Sequence, residues 1–302
     1  MCDENNEFIN TLEILLSIVR PGGYILSGIK LRKIEYSDKE RIHEMTKNIW
    51  RGNDYIPGVF EELVKDSRSH FLGIEEHGKL IALANLYLID ESSGWLEALR
   101  VDPELTGKGW GKKMVQNMCR FAIDKGFNEL FFSTYYRNKA SINLNEKLGF
   151  MRYETFTNLV LDLKKMKSGN DYKALQLLPF SNERCERVVW NDWFAIPEGK
   201  KIDEDRFPRI SKVIVNENEF LLSENHKERT ILEISPVKIS IIDYNTVKAI
   251  TDYAVKNGYK KTHLMLATDI NLKPLTEYGF NYREKTEDVY LFTAKTDELK
   301  LR

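Results

Sequence analysis

The segment Leu96 to Gly111, LEALRVDPELTGKGWG, constrains the fold of this chain more than any other. An apolar run ends at Arg100-Val101-Asp102-Pro103. A glycine-spaced loop follows, Thr106-Gly107-Lys108-Gly109-Trp110-Gly111, and an amphipathic stretch, KKMVQNMCRFAIDKGF, begins at once. The order is strand, tight loop, helix N-terminus. Such a terminus turns unpaired N–H groups outward and carries about half a positive charge, so it suits an anionic phosphate. Glycine lets the backbone take positive φ and approach a pyrophosphate closely. Two familiar phosphate loops do not fit. Gly107 to Lys112 does not supply GxxxxGK[ST], and the dinucleotide fingerprint needs glycine where Met114 stands.

A third pattern does fit. The loop reads Thr106-x-x-Gly109-x-Gly111, and from Asn138 the chain runs NKASINLNEKLGF to Gly149-Phe150. In these two motifs, and in their order, the sequence resembles the GCN5-related N-acetyltransferases, whose pyrophosphate loop is [Q/R]xxGx[G/A]. The segment IWRGNDYIPGVFEELVKD, followed later by LEALRV, resembles the subgroup that includes the vertebrate histidine N-acetyltransferase, and the likeness extends faintly to Trp190-Asn191-Asp192-Trp193. The resemblance implies an α/β fold with a mixed sheet, acetyl-CoA as co-substrate and an amine as acceptor.

The local patterns agree with that order of elements. Alternation over Ile29–Ile34 predicts a strand, and Ser37-Asp38 predicts a cap for a helix to about Asn48. Pro57–Val64 reads as a second helix, and Leu72–Glu75 with Leu80–Leu88 as a hairpin around His77-Gly78. Trp95–Val101 is the next strand, then a helix from Gly109 to Lys125 ended by Gly126. Leu130–Thr134 reads as a strand, Ala140–Leu148 as a helix and Met151–Leu163 as a strand or hairpin.

The length of 302 residues suggests two domains. Residues 1–27 form an N-terminal extension whose apolar run Ile14–Val19 predicts a short helix. Docked on a partner copy, it would make a homodimer. Residues 28–165 form the first domain and the polar stretch at 166–171 a linker. Residues 172–302 repeat the first domain: AVKNGYKKTHLML from Ala254 parallels AIDKGFNELFF from Ala122, and NLKPLTEYGF from Asn271 parallels NLNEKLGF from Asn143. A strand at Lys238–Asp243 then leads into Tyr244-Asn245-Thr246-Val247 with no glycine. The expected architecture is a tandem of two acetyltransferase-like folds, the second degenerate and without a pyrophosphate loop.

The net charge of −1 argues against a broad nucleic-acid face. No run is long enough to span a bilayer. Three cysteines, Cys2, Cys119 and Cys185, give no disulfide framework and fit a cytoplasmic protein. Cys119 falls on the apolar face of its helix and reads as core. The five histidines form no ligand pair, so no metal is expected.

Acetyl transfer to an amine needs a base for the amine proton and donors for the oxyanion. Glu97 is the candidate base. It stands on an otherwise apolar strand, which would raise its pKa, and the resemblance places a glutamate base there. The family's thiolate-protonating tyrosine falls on Asn145, which can donate a hydrogen bond but is no acid. Tyr135, Tyr136 and Tyr153 are the nearby phenols, and Tyr136 joins Glu97 and Asn145 as a catalytic candidate. By resemblance, the backbone of Leu99, Arg100 and Val101 meets pantetheine. The loop Thr106, Gly107, Lys108, Gly109, Trp110, Gly111, with Lys112, meets the pyrophosphate, and Asn138 and Ser141 face the pantetheine arm. Thr106 replaces the family's Gln or Arg. Acceptor recognition is expected from Trp50, Asn53, Asp54 and Tyr55, with Trp193 as a pocket wall. Asp54 has two readings of equal weight, an acceptor for an ammonium group and a helix cap. A small-molecule amine or free amino acid is the expected acceptor. A protein N-terminus or lysine, and a non-catalytic acyl-CoA sensor, are the alternatives.

Overall fold

The computed structural model describes residues 29–301 apart from 168, 182, 183, 203 and 240. The expected N-terminal helix lies outside the described residues. The chain divides into two compact units, one running to Leu130 and including the end of the chain from Lys295, the other Phe131–Ala294. The expected linker therefore falls within the second unit.

The first unit holds β1 (Ile29–Lys33), α1 (Lys39–Thr46), α2 (Ile56–Lys65), β2 (Ser69–Glu76), β3 (Lys79–Asp90), β4 (Ser93–Val101) and α3 (Trp110–Asp124). Strands β1 to β4 pair antiparallel in sequence order. A core of Ile42 and Met45 from α1, Ile56, Phe60 and Leu63 from α2, and Phe71, Leu80 and Leu83 from the sheet fixes α1 and α2 on the sheet. Helix α3 packs on β2, β3 and β4 and buries Trp110, Met114, Val115, Met118, Cys119 and Ala122 at helical spacing. Fully burying a side chain such as Met114 contributes about 2 kcal/mol. At the end of β4, Asp102 is buried, pairs with Arg41 and accepts the Glu104 amide at 3.0 Å, which fixes the entry to the glycine loop. Burial works against its charge, yet the Glu104 amide and Arg41 hold its carboxyl below the usual range.

The second unit opens with β5 (Glu129–Tyr135), α4 (Lys139–Lys147) and β6 (Met151–Asp162). Then come short strands β7 (Gln176–Leu178), β8 (Val189–Asn191), β9 (Phe194–Ile196) and β10 (Ser211–Val215). Next are β11 (Asn218–Glu224), β12 (Ile231–Lys238), α5 (Tyr244–Lys256) and β13 (Lys261–Ala267), and last α6 (Lys273–Tyr278), β14 (Asn281–Tyr282) and β15 (Val289–Lys295). Its sheet runs β5-β15-β6-β13-β12-β11-β10-β7, with β12 and β13 parallel. The sheet is thus mixed and the fold α/β, as the sequence predicts.

Two local expectations need correction, and a third segment has contacts of its own. Asp38 does not cap α1 with its side chain. Its carboxylate pairs with Arg32 at 2.7 Å and accepts the Glu35 amide. The strand expected at Lys238–Asp243 lies earlier, at Ile231–Lys238, and Asp243 instead caps α5. The polar stretch before Tyr172 is tied down, because the Gly169 and Asp171 amides donate to the Asp252 carboxylate at 3.0 and 3.1 Å.

Candidate active site

Glu97 sits half-buried on β4 opposite Asn85 of β3. Asn85 is fully buried, and its amide donates to Glu97 Oε1 at 2.9 Å and to Ser69 Oγ at 3.2 Å. The sequence pattern passes over Asn85, whose one signal is a lone amide inside the apolar run LIALANLYLI. Next to Glu97 the ladder is irregular. Glu97 faces Asn85 and Arg100 faces Leu83, so three steps along β4 match two along β3. The extra residue is accommodated by Ala98, which takes φ +60, a left-handed conformation rare for alanine. The bulge has a consequence for the site. Glu97 and Arg100, three residues apart, share one face of the strand, as residues two apart would in a regular strand.

The glycine loop folds as its composition demands. Gly107 and Gly109 take φ +82 and +86, and a Cβ at either would meet nothing within 4 Å. Gly109 stands at the N-cap of α3 with no side-chain cap. The Lys108 and Lys112 side chains are exposed, Thr106 is exposed, and the ammonium of Lys113 lies 4.0 Å from the buried Trp110 ring. The helix start thus presents bare backbone and cationic side chains, a set that fits a pyrophosphate. Helix α5 of the second unit differs at the same place. There Asp243 accepts the Thr246 amide at 2.7 Å, which holds its carboxyl below the usual range. The chain's own carboxylate thus occupies the anion position.

The segment before α2 turns sharply. Trp50, Arg51 and Gly52 take successive positive φ values of 48, 62 and 85°. Asn53 closes the turn by donating its side-chain amide to the Trp50 carbonyl at 3.1 Å. Trp50 is 61% exposed and stacks near-parallel with Tyr55, at 6.4 Å between centroids. Arg100 lies under both, 4.7 Å from the Trp50 ring and 5.5 Å from Tyr55. Its guanidinium donates through Nε and Nη2 to the two oxygens of Asp54, at 2.5 and 3.1 Å, and through Nη1 to the Leu99 carbonyl at 2.9 Å. The Asp54 side chain is buried and also accepts the Ile56 amide at 3.0 Å. The structure thus gives Asp54 a helix-start role, and its charge is met by Arg100.

The remaining candidates belong to the second unit. Asn138 caps α4, accepting the Ser141 amide at 3.2 Å and donating to Thr134 Oγ1 at 3.1 Å. Asn145 is buried, and its amide folds back onto the Ser141 carbonyl at 2.9 Å. Tyr136 accepts from Arg137 Nε at 2.7 Å, and its ring packs 4.7 Å from that of Tyr135. Trp193 meets Tyr135 edge-on at 6.3 Å, and its carbonyl accepts the Ser133 hydroxyl at 2.7 Å. Trp193 and Tyr136 therefore gather around Tyr135, whose buried hydroxyl has no hydrogen-bond partner among the described residues. Trp190, by contrast, is core. Burial pushes the thiols of Cys119 and Cys185 up to about 12, which removes both as nucleophiles near neutral pH.

Comparison with known proteins places this geometry. The acetyltransferase (GNAT) family matches residues 33–150. The histidine N-acetyltransferase of Oreochromis niloticus is 32% identical over 189 residues, 61% of this chain and 53% of that protein. An uncharacterized, prophage-derived N-acetyltransferase of Bacillus subtilis is 30% identical over 102 residues, 33% of this chain and 57% of that protein. The chain thus spans about half the length of these curated relatives. Two crystal structures of GCN5-related N-acetyltransferases share the fold. The one from Sphaerobacter thermophilus superposes with a TM-score of 0.59 at 11% identity, over 89% of this chain and 96% of that one. The one from Kribbella flavida gives 0.53 at 12%, over 89% and 72%. Residues 33–150, which hold the glycine loop opening α3 and the glutamate on the bulged β4, are the part of this chain that matches the acetyltransferase (GNAT) family.

Proposed function

We propose that this chain is a cytoplasmic, acetyl-CoA-dependent N-acetyltransferase whose acceptor is the primary amine of a small molecule or free amino acid. The observation that carries the proposal is the pairing, within one unit, of an uncapped glycine-led helix start with a carboxylate held by a buried amide. The relative from Oreochromis niloticus, named for a small amino-acid acceptor, supports the acceptor class.

In a ternary complex the chemistry runs by direct attack. Glu97 takes the proton of the acceptor ammonium, directly or through water. The amine nitrogen then bonds to the thioester carbonyl carbon, the C–S bond breaks, and the nitrogen releases its surplus proton to solvent as the amide forms. The thiolate leaves and takes a proton, for which we assign Tyr136, because Asn145 holds its amide on Ser141 and has no acid proton. The backbone of Leu99, Arg100 and Val101 meets the pantetheine arm. Residues Thr106 to Lys112 hold the pyrophosphate, and Asn138 and Ser141 complete the proposed contacts. Trp50, Asn53, Tyr55 and Trp193 shape the acceptor side.

We also infer that the second half descends from the first and has lost its own cofactor site. Gly126 and Gly258 both take left-handed φ, +85 and +81, and end helices with equivalent bonds, from the Phe127 amide to Ala122 and from the Tyr259 amide to Ala254. Gly149 and Gly279 repeat the match, with bonds from Phe150 to Asn145 and from Phe280 to Leu275. Self-capping of α5 by Asp243 supports the loss.

A second reading, an acyl-CoA sensor, draws on Asn145 alone. Release of free CoA thiol from acetyl-CoA separates the two, with pools of amino acids, polyamines and short peptides as acceptors. Release with amino acids or amines, lost in Glu97→Gln, supports the enzyme. Binding of acetyl-CoA without release from any pool supports the sensor. Release with peptides alone moves the acceptor to proteins.

A further inference from the structure

We infer that Arg100 binds the carboxylate of the acceptor, so that the enzyme selects free amino acids over the corresponding amines and amides. This rests on the N-acetyltransferase reading above and names its acceptor more narrowly.

A guanidinium carries five N–H donors in a fixed plane. Three of those in Arg100 are committed. Nε and one Nη2 hydrogen meet Asp54 side-on, and one Nη1 hydrogen turns back to the Leu99 carbonyl of its own strand. The two left are one from each Nη, the end-on fork. They point away from Asp54 and have no acceptor among the described residues. That fork matches the spacing of carboxylate oxygens and binds them in a bidentate way.

The surroundings prepare the group for this task. Only 11% of the Arg100 side chain is exposed, and Trp50 and Tyr55 cover its faces, so its remaining donors work in a poorly hydrated place. Asp54 fixes the plane of the guanidinium, and its own charge is balanced before any substrate arrives. The backbone supports the cover at some cost. Trp50 and Arg51 are held in left-handed conformations unfavourable for residues with a Cβ, and strain of this sort gathers at binding sites.

The bulge at Ala98 then sets the spacing. It brings Glu97 and Arg100 onto one face as neighbours in the two-residue repeat, which places their Cβ atoms about 7 Å apart. A free α-amino acid carries its amine and carboxylate on one carbon. With a hydrogen bond at each end it bridges that gap, amine toward Glu97 and carboxylate toward Arg100. A decarboxylated amine or an amino-acid amide leaves the two donors of the fork unmet, which weakens binding. A protein N-terminus fails for the same reason, since its α-carboxyl is a peptide bond.

The test compares free L-amino acids with their primary amides and their decarboxylated amines, by thiol release and by equilibrium binding to the protein saturated with CoA. The expected result is a kcat/KM and an affinity for the acid at least about tenfold above those for the amide and the amine. The double variant Arg100→Gln, Asp54→Asn removes the cation and its buried counter-charge together, so no unpaired ion is left in the fold. Far-UV circular dichroism and a cooperative thermal melt check that it folds. In that variant the ratio of affinities for acid and amide is expected to fall to within about threefold. An acid bound no more tightly than its amide by the wild type overturns the inference, even in a protein that turns over nothing. So does a preference that survives in the folded double variant. Failure of the underlying reading looks different: no acceptor of any kind is acetylated, and Glu97→Gln changes nothing.

Discussion

At the residue scale the site depends on a carboxylate that another side chain holds in place. Glu97→Gln keeps the shape and removes the proposed base. The expected outcome is a fall in kcat of at least about tenfold with the KM for acetyl-CoA nearly unchanged, read by steady-state thiol release. Asn85→Ala should lower kcat in the same direction but less, because it frees the Glu97 carboxylate to turn without removing it. A normal kcat in Glu97→Gln would take this residue out of the mechanism. A second residue reports on stability. His70 packs edge-on against Phe121 at 5.0 Å. Burial, aided by the charges of Lys125 and Lys33, lowers its pKa from 6.5 to about 4. The unfolded chain takes up that proton near 6.5 and the folded chain does not until about 4. The stability His70 contributes is therefore present above pH 6.5 and is lost as the pH falls through the window from 6.5 to 4. Tm measured across that window should fall on acidification, and the fall should be shallower in His70→Leu. Equal slopes for the two proteins would mean that other groups govern the acid limb.

At the element scale the two helix starts make a controlled pair. Helix α3 opens on Gly109 in a left-handed conformation with no side-chain cap, and α5 opens on Asp243 with its carboxylate on the Thr246 amide. Gly109→Ala forces an alanine to φ +86, which should cost roughly 1 kcal/mol of stability and raise the KM for acetyl-CoA. Asp243→Ala should cost a similar amount, about 1 kcal/mol, through loss of a cap, and leave the KM for acetyl-CoA and kcat where they were. Thermal melts and steady-state kinetics on the two variants separate the roles. The same contrast shows what could be read from the chain alone. The glycine loop, the helix from Trp110 and the Gly149 stop were legible because each is encoded by residues local to it. The hairpin of β2 and β3 was legible because alternation and His77-Gly78 agree. The bulge in β4 was not. Glu97-Ala98-Leu99-Arg100 contains no glycine, and the kink exists because β3 imposes a register that β4 overruns by one residue. Asp38 was misread as a cap because its true partner, Arg32, is a tertiary one. Asp54 offered two readings for a similar reason: its pairing with Arg100 is long-range, and only the Ile56 amide is local.

At the scale of the whole molecule, the strand order of the second unit bears on whether the halves can part. The run β5-β15-β6-β13 interleaves strands that precede residue 165 with strands that follow it. Exchanging β5 with β13 and β6 with β15 turns that order into its own reverse, as the proposed duplication would require if its last strands were swapped. Strand β6 precedes residue 165, yet its edges are covered by strands that follow it. Residues Phe156 to Asp162 pair with Ala267 to Lys261 of β13, and Met151 to Phe156 pair with Thr293 to Val289 of β15. Leu159 and Leu161 of β6 are buried in a core otherwise built from residues beyond 162. A chain cut at the polar stretch that the sequence marks as a linker would leave both edges of β6 bare and these leucines in water. Exposed apolar strand edges are templates for aggregation. Residues 28–165 expressed alone are therefore expected to be insoluble or to lack a cooperative melt. Co-expression with residues 166–302 should restore a soluble complex with acetyl-CoA binding. A soluble 28–165 fragment that melts cooperatively and binds acetyl-CoA would mean that β6 finds other partners, and that the interleaved strands are not what holds the first half together. Restoration by co-expression would give residues 166–302 a structural role, the supply of the strands between which β6 is laid.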